Sequence, residues 1–134
     1  MDFKVTFKYN VVKQVMAKSI LIAEDDKAIV EVVKIILDEA GYTTHTIEEG
    51  DSVAKIVKSK KPDLVLLDIW LSGEDGGQIA KILKGEDQTK NTPVIMISAN
   101  NETEQIAKDA GADGFLKKPF DINDLLEIVE KHLK

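Results

Sequence analysis

The sequence contains no cysteine and no arginine, only three prolines and one tryptophan, and no long apolar run. Without cysteine there is neither a disulfide framework nor a thiolate centre, which fits a reducing compartment and leaves oxygen and histidine as metal ligands. All 18 basic residues are lysine. A guanidinium fork for phosphate or guanine is therefore excluded, and a phosphate would be met by lysine, hydroxyl, backbone N–H or a metal ion. The formal net charge of −6 argues against a broad basic surface for nucleic acid or anionic membrane. No apolar stretch approaches the roughly 18 residues of a membrane helix, and no signal-peptide core is present. These absences predict a soluble, cytoplasmic protein that contacts neither nucleic acid nor membrane. The length of 134 residues predicts one domain with a single sizeable core.

From Ser19 onward, strand-like and helix-like segments alternate five times, the pattern of a parallel α/β sheet. Ser19 to Ala23 is followed by a helix from about Lys27 to Glu39, capped by Asp26 and closed by Gly41. Tyr42 to Ile47 reads as a weaker strand, Glu49 to Ser59 as a helix, and Pro62 opens the connection to the strand at Leu64. A third helix is predicted from about Asp75 to Leu83, a strand after Pro93, and a fourth helix from Glu102 to Ala110 that stops at Gly111. Gly114 to Lys117 is the last strand, and Asp121 with Asp124 caps the last helix. Residues 1–15 stand outside this scheme as an N-terminal extension of unknown role, with Phe3, Val5, Phe7 and Tyr9 at strand spacing.

In an open parallel sheet the ligand crevice lies outside the carboxyl ends of the strands. Four strands end in chemically useful residues: Glu24 and Asp25, Asp68, Ser98, and Lys118. Converging there, they would place three carboxylates, a hydroxyl and an ammonium in one pocket, which suits magnesium and a phosphoryl group. Each also has an ordinary reading. The acidic triplet ending in Asp26 could be a helix N-terminus, Asp68 a turn, Ser98 a strand-end hydroxyl bonding its own backbone, and Lys118 surface charge. Asp68 resists that reading, because apolar residues flank it on both sides. A carboxylate so placed calls for a cation, and it can also act as a nucleophile towards phosphorus.

The segments Ile20 to Asp26, Pro62 to Asp68, Pro93 to Ala99 and Gly111 to Phe120, in this order and spacing, closely resemble the receiver domain of two-component response regulators. The resemblance runs from Ser19 to Lys134 and sets a domain of residues 16–134. It implies a flavodoxin-like, doubly wound, five-stranded parallel sheet of order 2-1-3-4-5 flanked by five helices. It implies that Asp68 is the phosphoacceptor and that Glu24, Asp25 and Asp68, with the carbonyl of Trp70, bind Mg2+. Ser98 and Phe115 correspond to the switch residues. Lys118 is selected over Lys117 because the family's lysine directly precedes proline.

The implied reaction is transfer of a phosphoryl group from a sensor histidine kinase or histidine phosphotransfer protein onto Asp68, with Lys118 and magnesium neutralising charge. The domain would be a signalling protein that catalyses its own phosphorylation, not an enzyme with a separate substrate. Its readout would be a downstream protein target at the fourth helix, fifth strand and fifth helix, from a monomer or weak dimer. Because the sequence stops after the last predicted helix, a stand-alone, chemotaxis-regulator-like receiver is expected. Three alternatives have different requirements. An aspartate-nucleophile phosphatase of the haloacid dehalogenase kind wants a second Asp where Trp70 stands. A flavodoxin-type cofactor binder wants a glycine- and hydroxyl-rich loop where Glu24, Asp25 and Asp26 stand. A phosphorylation-independent interaction module differs only in its response to a phosphodonor.

Overall fold

Five short strands carry half of the buried apolar residues, and their placement determines everything else. The computed structural model describes residues 17–133; the N-terminal extension, with its alternating Phe3 to Tyr9, lies outside the described residues. The strands are β1 (Ser19–Ala23), β2 (Thr43–Ile47), β3 (Leu64–Asp68), β4 (Val94–Ser98) and β5 (Gly114–Lys117). All neighbours pair in parallel, in the order β2-β1-β3-β4-β5. The helices are α1 (Lys27–Glu39), α2 (Val53–Lys60), α3 (Gly76–Gly85), α4 (Thr103–Ala110) and α5 (Ile122–Leu133). This is the doubly wound, flavodoxin-like architecture expected from the sequence.

The three central strands, β1, β3 and β4, are buried on both faces, which is why they read as continuous apolar runs, while the edge strands β2 and β5 are more exposed. Ile20, Ile22, Leu64, Leu66, Ile95 and Ile97 point to the side covered by Val33 and Leu37 of α1 and Leu125 and Val129 of α5. Leu21, Ala23, Val65, Leu67, Val94 and Met96 point to the other side, against Val53 and Val57 of α2, Leu83 of α3 and Ala107 of α4. The period-2 alternation of a strand thus divides one apolar run between two cores. β3, at the centre, is buried at every position including Asp68.

Local chemistry closes each helix. Asp26 accepts hydrogen bonds from the N–H groups of Ala28 and Ile29, and Asp75 from that of Gly77. Asp121 and Asp124 form a reciprocal box, each side chain accepting from the other's backbone N–H. At the end of α1, Tyr42 N–H donates to Leu37 C=O and Gly41 N–H to Asp38 C=O, with Gly41 left-handed at φ 99°. Tyr42 is thereby used to finish the helix, and β2 starts one residue later than its sequence pattern indicates. The second helix differs similarly: its first turn, Gly50–Ser52, is a 3₁₀ turn with no side-chain cap, and regular α-helix begins at Val53. Among the described residues, no helix is long and apolar enough to cross a membrane.

Two aspartates lock the amino-terminal edge of the sheet. Asp63 Oδ2 accepts from Ser19 N–H at 2.7 Å, while Asp63 N–H donates to Ser19 C=O at 2.8 Å. Asp113 repeats the device on β4, accepting from Val94 N–H at 2.8 Å and donating to Val94 C=O at 2.9 Å, and it also pairs with Lys84 at 2.9 Å. These side chains satisfy the first N–H of each buried strand. Asp113→Ala leaves the Val94 N–H without its partner, and urea denaturation should show a loss of about 1–3 kcal/mol of stability. A loss within about 0.5 kcal/mol, as for an ordinary surface substitution, would remove this role from Asp113.

Candidate functional site

The opposite, carboxyl-terminal edge gathers the charged residues, and the sheet ladder places them. Hydrogen bonding runs one residue past the strand ends: Glu24 N–H donates to Ile47 C=O, Ile69 N–H to Ile97 C=O and Lys118 N–H to Ser98 C=O. In register, Ala23 stands beside Leu67, Asp68 beside Ile97, and Ser98 beside Lys117. Glu24, Asp68, Ser98 and Lys118 therefore follow from strand alignment and not from loop conformation.

Glu24 is almost wholly buried, and each of its oxygens is engaged. Oε1 pairs with Lys118 Nζ at 2.6 Å, and Oε2 accepts from the N–H groups of Asp25 at 3.0 Å and Asp26 at 3.3 Å. Asp68, 8% exposed, lies with Oδ1 4.0 Å from Lys118 Nζ. Burial, then the hydrogen bond and the negative charge of Glu24, push the Asp68 carboxyl up to about 7; the Lys118 charge and a backbone hydrogen bond from Trp70 act against this. Asp25 is exposed, and its Oδ2 accepts from Ser72 N–H at 3.0 Å. Glu24, Asp25 and Asp68 each offer a carboxylate oxygen, all within 4.8 Å of one another. Three hard oxygen donors facing one ammonium fit a divalent cation, which would relieve the repulsion that raises Asp68.

The two adjacent lysines are clearly distinguished. Lys118, joined to Pro119 by a cis peptide bond, turns its ammonium to Glu24 and Asp68. Lys117 is exposed, and its ammonium lies 3.4 Å from Asn101 Oδ1. Ser98 is half-buried, and its Oγ accepts from Asn100 N–H at 3.0 Å. This is the local backbone bond available to any strand-end serine, and it leaves the hydroxyl proton free. Phe115 is 38% exposed, on the rim of a groove shared with Ile128, Lys131 and His132.

After Asp68 the chain forms a small antiparallel ribbon in which Trp70 pairs with Asp75 and Leu71 with Glu74. Leu71 is fully buried and anchors it, whereas the Trp70 side chain is 61% exposed. Gly76 is required where the ribbon enters α3, because a Cβ there would collide with the Asp68 carbonyl. Sequence reasoning did not single out Ser72, which binds Asp25. Its signal was the Ser72-Gly73 dipeptide, a turn marker between two apolar segments.

Residues 20–130 match the family described as the response regulator receiver domain, and the chain belongs to that family. It is 37% identical to the phosphate regulon transcriptional regulatory protein PhoB of Klebsiella pneumoniae over 113 residues, 83% of this chain and 49% of that protein. It is 37% identical to the nitrogen assimilation regulatory protein NtrX of Azorhizobium caulinodans over 123 residues, 89% of this chain and 27% of the relative. The chain spans about half the length of the phosphate regulators it matches. Among solved structures, the chemotaxis response regulator CheY4 of Vibrio cholerae aligns with a TM-score of 0.81 at 27% identity, covering 88% of this chain and 100% of the other. A putative response regulator from Chloroflexus aurantiacus aligns with a TM-score of 0.83 at 27% identity, covering 87% and 98%.

The raised Asp68 carboxyl has a consequence for stability in EDTA. Between the ordinary carboxylate value near 3.8 and about 7, the folded state holds a proton that the unfolded state has released. The stabilisation from this group is complete below that interval and is lost as pH rises through about 7. Thermal unfolding in EDTA from pH 4 to 8 should show this loss for the wild-type chain. Asp68→Asn, neutral throughout, should lack that part of the decline and be the more stable protein at pH 8. A variant less stable than wild type at pH 8 would contradict the crowding of Asp68 by Glu24.

Proposed function

We propose that this receiver domain accepts a phosphoryl group on Asp68 and passes the event on as a change of surface. The observation that carries the reading is the convergence of Asp68 with Glu24, Asp25 and Lys118 at one sheet edge in a chain of this family. The donor is the phosphohistidine of a sensor histidine kinase or phosphotransfer protein. An oxygen of the Asp68 carboxylate attacks phosphorus, the phosphorus–nitrogen bond breaks, and the imidazole departs with the electron pair of that bond.

Each side chain has a definable part. Lys118, at 2.6 Å from Glu24 and 4.0 Å from Asp68, holds positive charge where the transferring oxygens gather negative charge, and it can shift from one carboxylate to the other. Glu24, Asp25 and Asp68, with the Trp70 carbonyl, are the groups that would hold Mg2+. That ion, when bound, supplies charge neutralisation and orientation to the phosphoryl oxygens. Ser98 accepts from Asn100 N–H and so keeps its own proton for a phosphoryl oxygen. Movement of the Ser98 hydroxyl opens space for the partly exposed Phe115 to turn inward. The readout surface is then α4, β5 and α5, and its population shifts by as much as the phosphoryl group favours one arrangement over the other.

Acetyl phosphate or phosphoramidate with Mg2+ should add one phosphoryl group to the intact mass, and Asp68→Asn should abolish the addition. Lys118→Ala should slow labelling by about tenfold or more, as expected for loss of a charge that acts on the transferring group, while Lys117→Ala should label at the wild-type rate. Labelling that persists in Asp68→Asn overturns the phosphoacceptor assignment, and a larger defect in Lys117→Ala overturns the choice of lysine.

The Trp70 ring is a large, mostly exposed apolar body two residues beyond Asp68, and we assign it the role of shielding the phosphoryl group from attacking water. Trp70→Asn should shorten the lifetime of the phosphoryl group on Asp68, measured by intact mass after removal of the donor. An equal or longer lifetime removes the shielding role.

A further inference from the structure

Asp25 differs from the other two carboxylates of the pocket in how it is held. Glu24 is fixed by Lys118 and two backbone N–H groups, and Asp68 by burial and a backbone hydrogen bond from Trp70. Asp25 is exposed, and among the described residues the N–H of Ser72, 47 positions away, is the single hydrogen-bond donor recorded for its carboxylate. An exposed side chain must lose rotamer freedom to hold a ligand, so a group that orients it beforehand strengthens binding.

Ser72 has the means to do so. It and Gly73 form the two-residue turn of the ribbon, with φ of +49° and +82°. Positive φ at both central residues is the requirement of a type I′ hairpin turn, for which Asn, Asp or Gly is the usual first residue. Serine is disfavoured there relative to glycine, because its Cβ crowds the backbone at positive φ. Turn geometry alone therefore does not explain it. Its two hydrogen bonds do: the N–H points to Asp25 Oδ2 at 3.0 Å, and the hydroxyl donates to Glu48 C=O, just beyond the end of β2. The left-handed backbone aims the N–H, and the hydroxyl tethers the turn that carries it.

We propose that Ser72 is a positioning residue for the cation pocket, orienting the Asp25 carboxylate through its N–H and holding that N–H in place by tethering its hydroxyl to Glu48. The inference rests on the magnesium reading above and extends it to a residue with no ligand atom of its own. The brace joins the end of β1, the end of β2 and the turn following β3, so occupancy of the pocket is transmitted into the ribbon that bears Trp70.

The test titrates Mg2+ into wild type, Ser72→Gly and Ser72→Ala, following amide NMR shifts and, separately, melting temperature in EDTA. Glycine keeps the N–H and accepts positive φ, so it removes the hydroxyl tether alone. Alanine removes the tether and retains the backbone penalty. In wild type the Ser72 amide resonance should move on addition of Mg2+. Ser72→Gly should bind Mg2+ about tenfold more weakly, the lower end of the range for losing a group that orients a metal ligand, with little change of melting temperature in EDTA. Ser72→Ala should be at least as weak in binding and less stable. Mg2+ affinity within twofold of wild type in both variants overturns the inference, and a fall in melting temperature without a change in affinity assigns Ser72 to structure alone. A wild-type chain that does not respond to Mg2+ overturns the magnesium reading and this inference with it; the wild-type arm thus separates that failure from a failure of the Ser72 assignment.

Discussion

The ion pair between Lys118 and Glu24 is the interaction on which the arrangement of the site depends. It joins residues 94 positions apart, and the Glu24 side chain is only 3% exposed. A charge buried to that degree is expensive when unpaired, and breaking such a pair by removing one partner costs about 3–5 kcal/mol. The end of β1 and the segment after β5 must therefore sit where an ammonium can span them, with Asp68 between. The same pairing leaves Asp68 short of compensation, because Lys118 is engaged at 2.6 Å by Glu24 and stands 4.0 Å from Asp68. One contact stabilises the edge of the sheet and leaves the carboxylate beside it without a close ion pair.

Carboxylates serve opposite purposes at the two ends of the sheet. At the amino-terminal edge, Asp63 and Asp113 turn back onto the first N–H of β1 and β4 and close the ladder. At the carboxyl-terminal edge, Glu24, Asp25 and Asp68 face one another, and the backbone beneath them is already satisfied by ladder bonds that overrun the strands. Here the backbone N–H groups that meet the carboxylates, those of Asp25 and Asp26 on Glu24 and of Ser72 on Asp25, orient a cluster of negative charge and do not close the sheet ladder. The loops above them are also pinned, by buried Leu71, by the close approach at Gly76 and by the Ser72 bonds to Asp25 and Glu48. A preorganised site of this kind spends little free energy on rearrangement when its charge changes.

The chain corresponds to the receiver portion of the regulators it resembles, covering 49% of the phosphate regulator and 27% of the nitrogen regulator. Receiver domains signal by interacting with histidine kinases and output partners. In this chain Phe115 of β5 is partly exposed, and Trp70, two residues beyond Asp68, is largely exposed.

Much of this was legible in the residues. Apolar runs separated by helical spacing identify a parallel sheet, because a strand buried on both faces has no polar side to show. Asp26, Asp121 with Asp124, and Gly111 marked helix ends correctly, since capping is local and needs only neighbours in sequence. Where neighbouring elements competed, the pattern was less exact: Tyr42 was taken by the end of α1, and the start of the second helix became a 3₁₀ turn. The residues at the strand ends could be named from sequence because a parallel sheet brings its carboxyl ends together. What those residues do to one another could not. That Lys118 pairs first with Glu24, that Asp68 is pushed up by its neighbour, and that Ser72 holds Asp25 depend on distances of a few ångströms between residues 44 to 94 positions apart. Periodicity and local hydrogen bonding are enough to give the fold class, several of the helix caps and the set of chemical groups at the edge. The partner of each charge was decided only by the tertiary structure, because electrostatic energy depends on separation and burial, and neither is encoded by position along the chain.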